Sequence, residues 1–139
     1  MNTEQIKNSS TSITQSGAHY QRVGILGAGA WGTALAQTAA KAGRDVTLWS
    51  FEQDVTDAVN TKHENTIYLP DVKLSQAIEA TTSISDLDAC DAILAVAPAQ
   101  HLRRVLETFL PYARPGLPIV LCAKGIEQSS LSMMTSMWP

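Results

Sequence analysis

Residues 27–32 read Gly27-Ala28-Gly29-Ala30-Trp31-Gly32, or GAGAWG, and follow an apolar run at residues 23–26. An alanine-rich segment with helical periodicity comes directly after them. This order of strand, glycine turn and helix is the arrangement that holds the pyrophosphate of a dinucleotide. Gly27 permits the tight turn, Gly29 lets the backbone approach the phosphates, and Gly32 lets the helix pack against the strand. The phosphate charge then faces unpaired N–H groups at the helix N-terminus, so the stretch predicts a dinucleotide-binding domain rather than an ordinary glycine turn.

The rest of the chain alternates short apolar runs with helical periodicities. Strands are predicted at residues 23–26, 45–50, 78–82, 91–97 and 117–123. Helices are predicted at residues 31–42, 52–60 and 100–109. The near-continuous apolar run at residues 91–97 is typical of a parallel strand that is covered on both faces. The pattern therefore predicts an α/β fold, a Rossmann-type doubly wound parallel sheet with helices on both faces.

The composition is that of a globular chain, with 45% hydrophobic and 17% charged residues among 139. Residues 1–18 are rich in Ser, Thr, Asn and Gln and carry almost no apolar side chains. Such a segment cannot bury enough surface to offset the entropy of ordering. We therefore predict a disordered polar tail over residues 1–19 and one dinucleotide-binding domain over residues 20–139, a length that suits a single domain.

Charge, hydropathy and cysteine usage exclude several classes of function. The formal net charge of −3 gives no basic field for nucleic acid. No apolar run approaches the ~20 residues that a membrane span requires, and the N-terminus lacks the apolar core of a signal peptide. Cys90 and Cys122 have no CxxC spacing, and the histidines are not spaced as metal ligands. We expect two buried thiols, no metal and a cytoplasmic location.

Phe51 and Glu52 directly follow the second predicted strand and are candidates for contact with the adenosine half of a cofactor. Glu52 lies about 20 residues after Gly32, where a carboxylate accepts hydrogen bonds from ribose hydroxyls. Alternatively, Glu52 is only an acidic residue that the dipole of the next helix favours. Phe51 either stacks on the adenine or covers the edge of the core. Because a carboxylate repels a 2′-phosphate and no Lys or Arg is close in sequence, the predicted cofactor is NAD, with NADP as the alternative.

Three further candidates lie near the expected ligand-binding edge. Ligands of open α/β sheets bind outside the carboxyl ends of the strands, near the point where the strand order reverses. Pro98 follows the fourth predicted strand and either lines that site or only begins the next helix. Lys124 follows the last predicted strand and faces either a phosphate group or solvent. Trp31, exposed by its position in the glycine turn, either covers the pyrophosphate or packs beneath it.

Four segments spread along the chain carry a family resemblance. They are GAGAWGTALA (27–36), NTKHENTIYLP (60–70), ILAVAPAQHLRRVL (93–106) and AKGIE (123–127). Taken together and in this order, they resemble the bacterial NAD(P)-dependent glycerol-3-phosphate dehydrogenases from about Val23 to the end of the chain. The resemblance implies an oxidoreductase that reduces dihydroxyacetone phosphate to sn-glycerol 3-phosphate with NAD(P)H in the cytoplasm, for phospholipid synthesis.

The resemblance also implies roles for individual residues. Trp31 is implied to contact the dinucleotide, and Lys124 to lie between cofactor and substrate and to orient both. Many relatives carry a basic residue at the positions that match Phe51 and Glu52, where it would hold the phosphate of NADP. The Phe-Glu pair departs from that pattern and again favours NAD.

A second, helical domain is implied as well, with the lysine that acts as general acid and base and most of the substrate contacts. Because the chain stops at Pro139, it resembles the amino-terminal half of an enzyme for which a homodimer is expected at full length. Two alternatives stay open: a NAD-binding module without catalytic activity, and the amino half of another dehydrogenase of the 6-phosphogluconate or hydroxyacid type. The YLP and AKGIE segments argue against the second alternative.

Overall fold

A parallel five-stranded sheet forms the centre of the chain in a computed structural model, which describes residues 20–122. The strands are β1 (Arg22–Leu26), β2 (Asp45–Trp49), β3 (Ile78–Thr81), β4 (Ala92–Ala95) and β5 (Ile119–Leu121). Their order in the sheet is β3-β2-β1-β4-β5, and every neighbouring pair is parallel. The chain runs from β1 outward to one edge and then returns to build the other half from β4. The strand order therefore reverses between β1 and β4.

Three helices connect the strands within residues 20–122. They are α1 (Ala30–Lys41), α2 (Gln53–Lys62) and α3 (Ala99–Phe109), with short 3₁₀ turns at Ile84–Leu87 and Leu110–Tyr112. α1 ends where predicted, because Gly43 has a positive φ of 86° and its N–H donates to the Ala40 carbonyl at 3.0 Å. All the predicted strands and helices are present, and their bounds differ from the predicted ones by at most two residues.

The core consists of two apolar layers, one on each face of the sheet. The layer beneath α1 and α2 contains, among others, Val23, Ile25, Val46, Leu48 and Val55. The layer beneath α3 and the first 3₁₀ turn contains, among others, Leu26, Ile93, Ala95, Leu102 and Phe109. Because successive side chains of a strand point to opposite faces, β1 and β4 contribute to both layers. The predicted doubly wound Rossmann-type fold, with helices on both faces of a parallel sheet, is confirmed.

The two thiols differ in burial. Cys90 is buried in the layer beneath α3, and desolvation raises the pKa of its thiol. Cys122 is only partly buried, and both cysteines are free. The expectation of a buried thiol is therefore confirmed for Cys90 and wrong for Cys122, which follows the short edge strand β5 rather than lying within the sheet.

Two sequence predictions fall on parts of the chain that the structure does not describe. The polar tail predicted over residues 1–19 is one, and Lys124 with the rest of residues 123–139 is the other. Within residues 20–122, no helix combines the length and apolar character that crossing a membrane would require.

Candidate functional site

The glycine turn, residues 27–32, begins where β1 ends and is confined by the ends of both neighbouring strands. The Gly27 N–H donates to the Trp49 carbonyl at the end of β2, at 3.1 Å. Gly27 has a φ of 123°, and a Cβ built on it would lie 2.9 Å from the backbone nitrogen of Ala97, just beyond β4. Both its conformation and its surroundings exclude a side chain. The tight turn predicted at Gly27 is therefore observed.

The other two glycines of the turn have opposite surroundings. A Cβ on Gly32 would lie 2.0 Å from the Gly27 carbonyl oxygen, so this glycine lets the first turn of α1 pack directly on the end of β1. A Cβ on Gly29 would meet no atom within 4 Å. The protein itself therefore does not require a glycine at residue 29. The absence of a side chain there leaves space in front of the backbone instead.

The N-terminus of α1 opens into that space. Gly29 is the N-cap residue and makes no side-chain cap, and the first helical bond joins the Thr33 N–H to the Gly29 carbonyl at 3.0 Å. The amide groups before Thr33 belong to the first turn, whose N–H groups have no carbonyl one turn earlier. Residues 30–33 include no carboxylate, so nothing in the first turn neutralises the positive end of the helix dipole. This end of α1 is suited to an anion.

A cleft of about 530 Å³ lies over the glycine turn, at the carboxyl ends of β1, β2 and β4. It is lined by residues 27–32, Trp49, Ser50, Phe51, Glu52, Tyr68, Val96, Ala97, Pro98 and His101. All the site residues predicted within the described part of the chain line this one cleft, and Lys124 lies outside the described residues. The cleft is therefore at the point where the strand order reverses, as expected for a ligand site in an open α/β sheet.

Aromatic side chains form the exposed rim of the cleft. Trp31 is 61% exposed and Phe51 is 68% exposed. The Phe51 ring packs edge-on against buried Trp49, with ring centroids 4.6 Å apart and an interplanar angle of 63°. The Trp49 indole N–H in turn donates to the Thr82 carbonyl at 3.1 Å. Phe51 thus covers the edge of the core with one side of its ring and leaves most of its surface available to a ligand.

Glu52 directs its carboxylate to a tyrosine rather than to its own helix. It is the N-cap residue of α2 but makes no side-chain cap. Its carboxylate accepts a hydrogen bond from the Tyr68 hydroxyl. That bond, together with burial and the negative charge of Glu52, raises the pKa of Tyr68. The phenol therefore remains protonated at neutral pH and acts as the donor in this bond.

Tyr68 belongs to a compact loop at residues 63–74, here called the Asn65 loop. Its ends meet where the Leu74 N–H donates to the His63 carbonyl at 2.7 Å. Within it, the Leu69 N–H donates to the Asn65 carbonyl at 2.9 Å. Leu74 is buried in the core beneath α1 and α2. A loop of this length whose ends are joined has the properties of an Ω-loop, a type that is frequently functional.

The fully buried side chain of Asn65 joins this loop to the glycine turn. Its amide nitrogen donates to the Ala28 carbonyl at 2.9 Å and to the Thr33 hydroxyl at 2.8 Å. Its amide oxygen accepts from the Tyr68 N–H at 3.1 Å. One amide group therefore connects the turn, the start of α1 and the tyrosine that contacts Glu52.

The sequence prediction assigned no role to Asn65, Tyr68 or His101. Asn65 and Tyr68 belong to the NTKHENTIYLP segment, but nothing in that segment indicates a role for either residue. The partners of Asn65 in the turn are more than thirty residues away in the sequence. His101 lies in the first turn of α3, beside Pro98, which is the N-cap of that helix. Its N–H donates to the Pro98 carbonyl at 2.8 Å. A signal for His101 was available, because the first turn of the helix that follows β4 starts near the carboxyl end of that strand, where ligands bind.

A larger hollow of about 620 Å³ lies elsewhere on the sheet, lined by Arg22, Asp45 and Glu79 among others. It opens beside the amino-terminal ends of β1 and β2, has no glycine turn and presents charges of both signs. Its position makes it a weaker candidate than the cleft, because open α/β sheets bind ligands at the carboxyl ends of their strands. Within residues 20–122, no three His, Cys, Asp or Glu side chains are grouped so that they could hold a metal ion.

A family model and several known proteins that resemble this chain share one biochemical description. A family model for the N-terminus of NAD-dependent glycerol-3-phosphate dehydrogenase matches residues 22–138. The glycerol-3-phosphate dehydrogenase (NAD(P)+) of Maricaulis maris is 89% identical over 118 residues, which are 85% of this chain and 35% of that protein. The enzyme of the same name from Caulobacter vibrioides is 53% identical over 116 residues, covering 84% of this chain and 35% of that protein.

A solved structure agrees with these sequence matches. The crystal structure of glycerol-3-phosphate dehydrogenase from Coxiella burnetii aligns with a TM-score of 0.79 at 30% identity, covering 86% of this chain and 37% of that one. The chain thus spans about a third of the length of the relatives it matches. These matches do not favour the alternative of another hydroxyacid-type dehydrogenase. The glycine turn, the parallel sheet and the sequence matches agree, and the chain belongs to the family of the NAD-dependent glycerol-3-phosphate dehydrogenase N-terminus.

Proposed function

We propose that the cleft over the glycine turn binds NAD(H), with NADP(H) as the alternative ligand. The observation that carries the proposal is the open space at Gly29, next to the uncompensated N-terminus of α1. A pyrophosphate in that space would accept hydrogen bonds from the amides of the first turn and face the positive end of the helix dipole. A Cβ at residue 29 would fill the same space, which explains a glycine that the fold itself does not need.

The two ends of the cleft suit the two ends of a dinucleotide. Phe51 and Glu52 follow β2, so we assign them to the adenosine half, with Phe51 beside the adenine and Glu52 accepting from the ribose hydroxyls. Trp31 covers the pyrophosphate from the exposed side of the turn. Pro98 follows β4 and contacts the cofactor on the other side of the strand-order reversal.

The same geometry supports NAD over NADP as the preferred cofactor. A 2′-phosphate beside the Glu52 carboxylate would bring like charges together in a partly enclosed site. Among the described residues that line the cleft, none is Lys or Arg, so none of them would compensate that repulsion.

For the whole enzyme, we propose the interconversion of dihydroxyacetone phosphate and sn-glycerol 3-phosphate, a step that supplies the backbone of phospholipids. A bound nicotinamide would supply or accept the hydride. Lys124 follows β5 in the sequence and is assigned to orient substrate and cofactor by the family resemblance. The general acid/base lysine and most substrate contacts then belong to the part of the relatives that this chain does not span. A polar tail over residues 1–19, a domain over residues 20–139, a cytoplasmic location and a homodimer at full length complete the proposal.

Replacing Gly29 by valine tests the binding site. We expect Gly29→Val to fold, because residue 29 has an ordinary negative φ of −69° and no neighbour within 4 Å of its Cβ. We expect its affinity for NADH to fall at least roughly a hundredfold, because the side chain would occupy the phosphate position. NADH fluorescence titration of the 139-residue chain and a thermal melt measure the two properties.

Thr38→Val is the matched control for this experiment. It places the same side chain on an exposed position of α1, away from the cleft, and it should keep both the melting temperature and the affinity for NADH. A folded Gly29→Val variant that binds NADH as tightly as the parent chain would exclude the proposed pyrophosphate position.

A further inference from the structure

We propose that Tyr68 sets the preference of the cleft for NAD(H) over NADP(H) by holding the carboxylate of Glu52 in place. Tyr68 is a positioning residue in this account, because it acts on the ribose through Glu52. The inference rests on the proposed function, since it requires a dinucleotide in the cleft.

Glu52 needs such a partner because its own helix does not hold its side chain. The residue is exposed and makes no side-chain cap to α2. A glutamate in this setting can place its carboxylate in many positions, and fixing one of them costs side-chain entropy. The hydrogen bond from Tyr68 offsets that cost, because a bond between a hydroxyl and a carboxylate is charge-assisted and stronger than a neutral one.

Tyr68 is itself fixed relative to the pyrophosphate end of the cleft. Its backbone N–H is held by the Asn65 amide oxygen at 3.1 Å, and buried Asn65 also contacts Ala28 and Thr33. The backbone of Tyr68 is therefore linked to the glycine turn through one buried side chain. A Glu52 carboxylate that is bonded to such a fixed tyrosine is preorganised, so cofactor binding does not have to order it.

A fixed carboxylate discriminates between the two cofactors, whereas a mobile one does so weakly. The Tyr68 bond uses Oε1 of Glu52 and leaves Oε2 free to accept from a ribose hydroxyl. A carboxylate held at this position also repels the 2′-phosphate of NADPH. Such a built-in repulsion is how a site rejects the wrong ligand. Without the Tyr68 hydroxyl, Glu52 can turn toward solvent, so both the attraction and the repulsion decrease.

Tyr68→Phe tests this inference, because it removes the hydroxyl and keeps the ring. The dissociation constants of NADH and NADPH are measured on the 139-residue chain at one low ionic strength, where charge repulsion is least screened. We expect the ratio of the NADPH constant to the NADH constant to fall roughly five- to tenfold. Tyr112→Phe is the matched control, because Tyr112 is as exposed as Tyr68, at 43% against 41%, and lies outside the cleft.

The same substitution in a Glu52→Gln background shows whether Tyr68 acts through Glu52. Glutamine keeps the size of the side chain and removes its charge, so Tyr68→Phe should then leave the ratio unchanged. A loss of stability alone would weaken the binding of both nucleotides equally, so the ratio of their dissociation constants would not change.

Three results would overturn the inference: an unchanged ratio in Tyr68→Phe, a raised ratio, or an equal fall in the Glu52→Gln background. Failure of the unmodified chain to bind either nucleotide would instead contradict the proposed function, and the inference with it. The two failures are therefore distinguishable.

Discussion

The two walls of the cleft are built by different means. In the glycine turn, backbone packs directly against backbone, and a side chain on Gly27 or Gly32 would clash with backbone atoms. The Asn65 loop reaches the same cleft through a buried polar side chain, whose partners lie 37 and 32 residues earlier in the chain. The first wall is fixed by sterics over a few residues, and the second by hydrogen bonds that exist only in the folded chain. The two walls should therefore respond differently to substitution.

Gly32→Ala should have the largest effect on stability. Alanine favours a helix interior by about 1 kcal/mol over glycine. Its Cβ, however, would lie 2.0 Å from the Gly27 carbonyl oxygen, which is backbone and cannot rotate away. We expect the clash to dominate and the free energy of unfolding to fall by roughly 3 kcal/mol or more. Urea unfolding followed by circular dichroism measures the change.

Gly29→Ala is the control for this contrast within the turn. It adds the same methyl group three residues earlier, where no atom lies within 4 Å, so stability should change by less than about 0.5 kcal/mol. Equal losses for the two variants would show that close packing does not distinguish Gly32 from Gly29.

Asn65→Ala should have an intermediate effect. The substitution leaves the Tyr68 N–H without its side-chain partner and leaves the Ala28 carbonyl with only the longer bond from the Thr33 hydroxyl, at 3.4 Å. The Asn65 side chain is fully buried. A buried group that loses its partner costs roughly 1–3 kcal/mol, so we expect a loss of about 2 kcal/mol. NADH binding should weaken as well, because the loop carries Tyr68.

Asn60→Ala separates the effect on binding from the effect on stability. Asn60 also exchanges two hydrogen bonds with one backbone residue, Ala80, at 2.9 and 2.8 Å, but it does not line the cleft. It should lower stability and leave the affinity for NADH unchanged. If both asparagine variants weaken NADH binding equally, Asn65 has no particular connection to the site.

Asp71→Gly should have the smallest effect, and in the opposite direction. The Asn65 loop places two non-glycine residues at positive φ, His63 at 53° and Asp71 at 65°. Glycine adopts this region without a steric penalty, whereas an L-residue pays for it. Because Asp71 is exposed, we expect Asp71→Gly to change stability by about 0.5 kcal/mol or less, toward greater stability.

The comparison variant at this position is Asp71→Ala. Alanine keeps the Cβ and lacks the polar group that makes aspartate tolerant of positive φ, so it should cost up to about 1 kcal/mol. If alanine proved more stable than glycine at residue 71, the loop would not be strained there. Thermal melts of the two variants and the parent chain are sufficient for the comparison.

The fold was predictable because its determinants are local. The apolar runs, the glycine turn and Gly43 at the end of α1 each act over a few residues, and strands that alternate with helices indicate a parallel sheet. The glycine turn, Phe51, Glu52 and Pro98 were predicted for the same reason, since each directly follows a strand. Their convergence on one cleft is a consequence of the parallel sheet.

The polar contacts across the cleft could not be predicted in this way. Nothing in the local sequence distinguishes Asn65, which is fully buried, from Asn60, which is exposed. The partner of Glu52 was also hidden, because Tyr68 is separated from it by α2 and part of a loop. The sequence allowed two interpretations of Glu52, an acceptor for the ribose hydroxyls or a residue favoured by the helix dipole. The contact that bears on this choice is the tertiary hydrogen bond from the Tyr68 hydroxyl.

The empty space at Gly29 has a consequence for the fate of altered chains in a cell. Proteases and chaperones recognise unfolded chains, so abundance follows the free energy of unfolding. A substitution at Gly32 would therefore remove the protein, whereas one at Gly29 would leave it at normal levels, folded but unable to hold an anion at the start of α1. Two glycines three residues apart would thus produce the same loss of function, one through degradation and the other through accumulation of an inert protein.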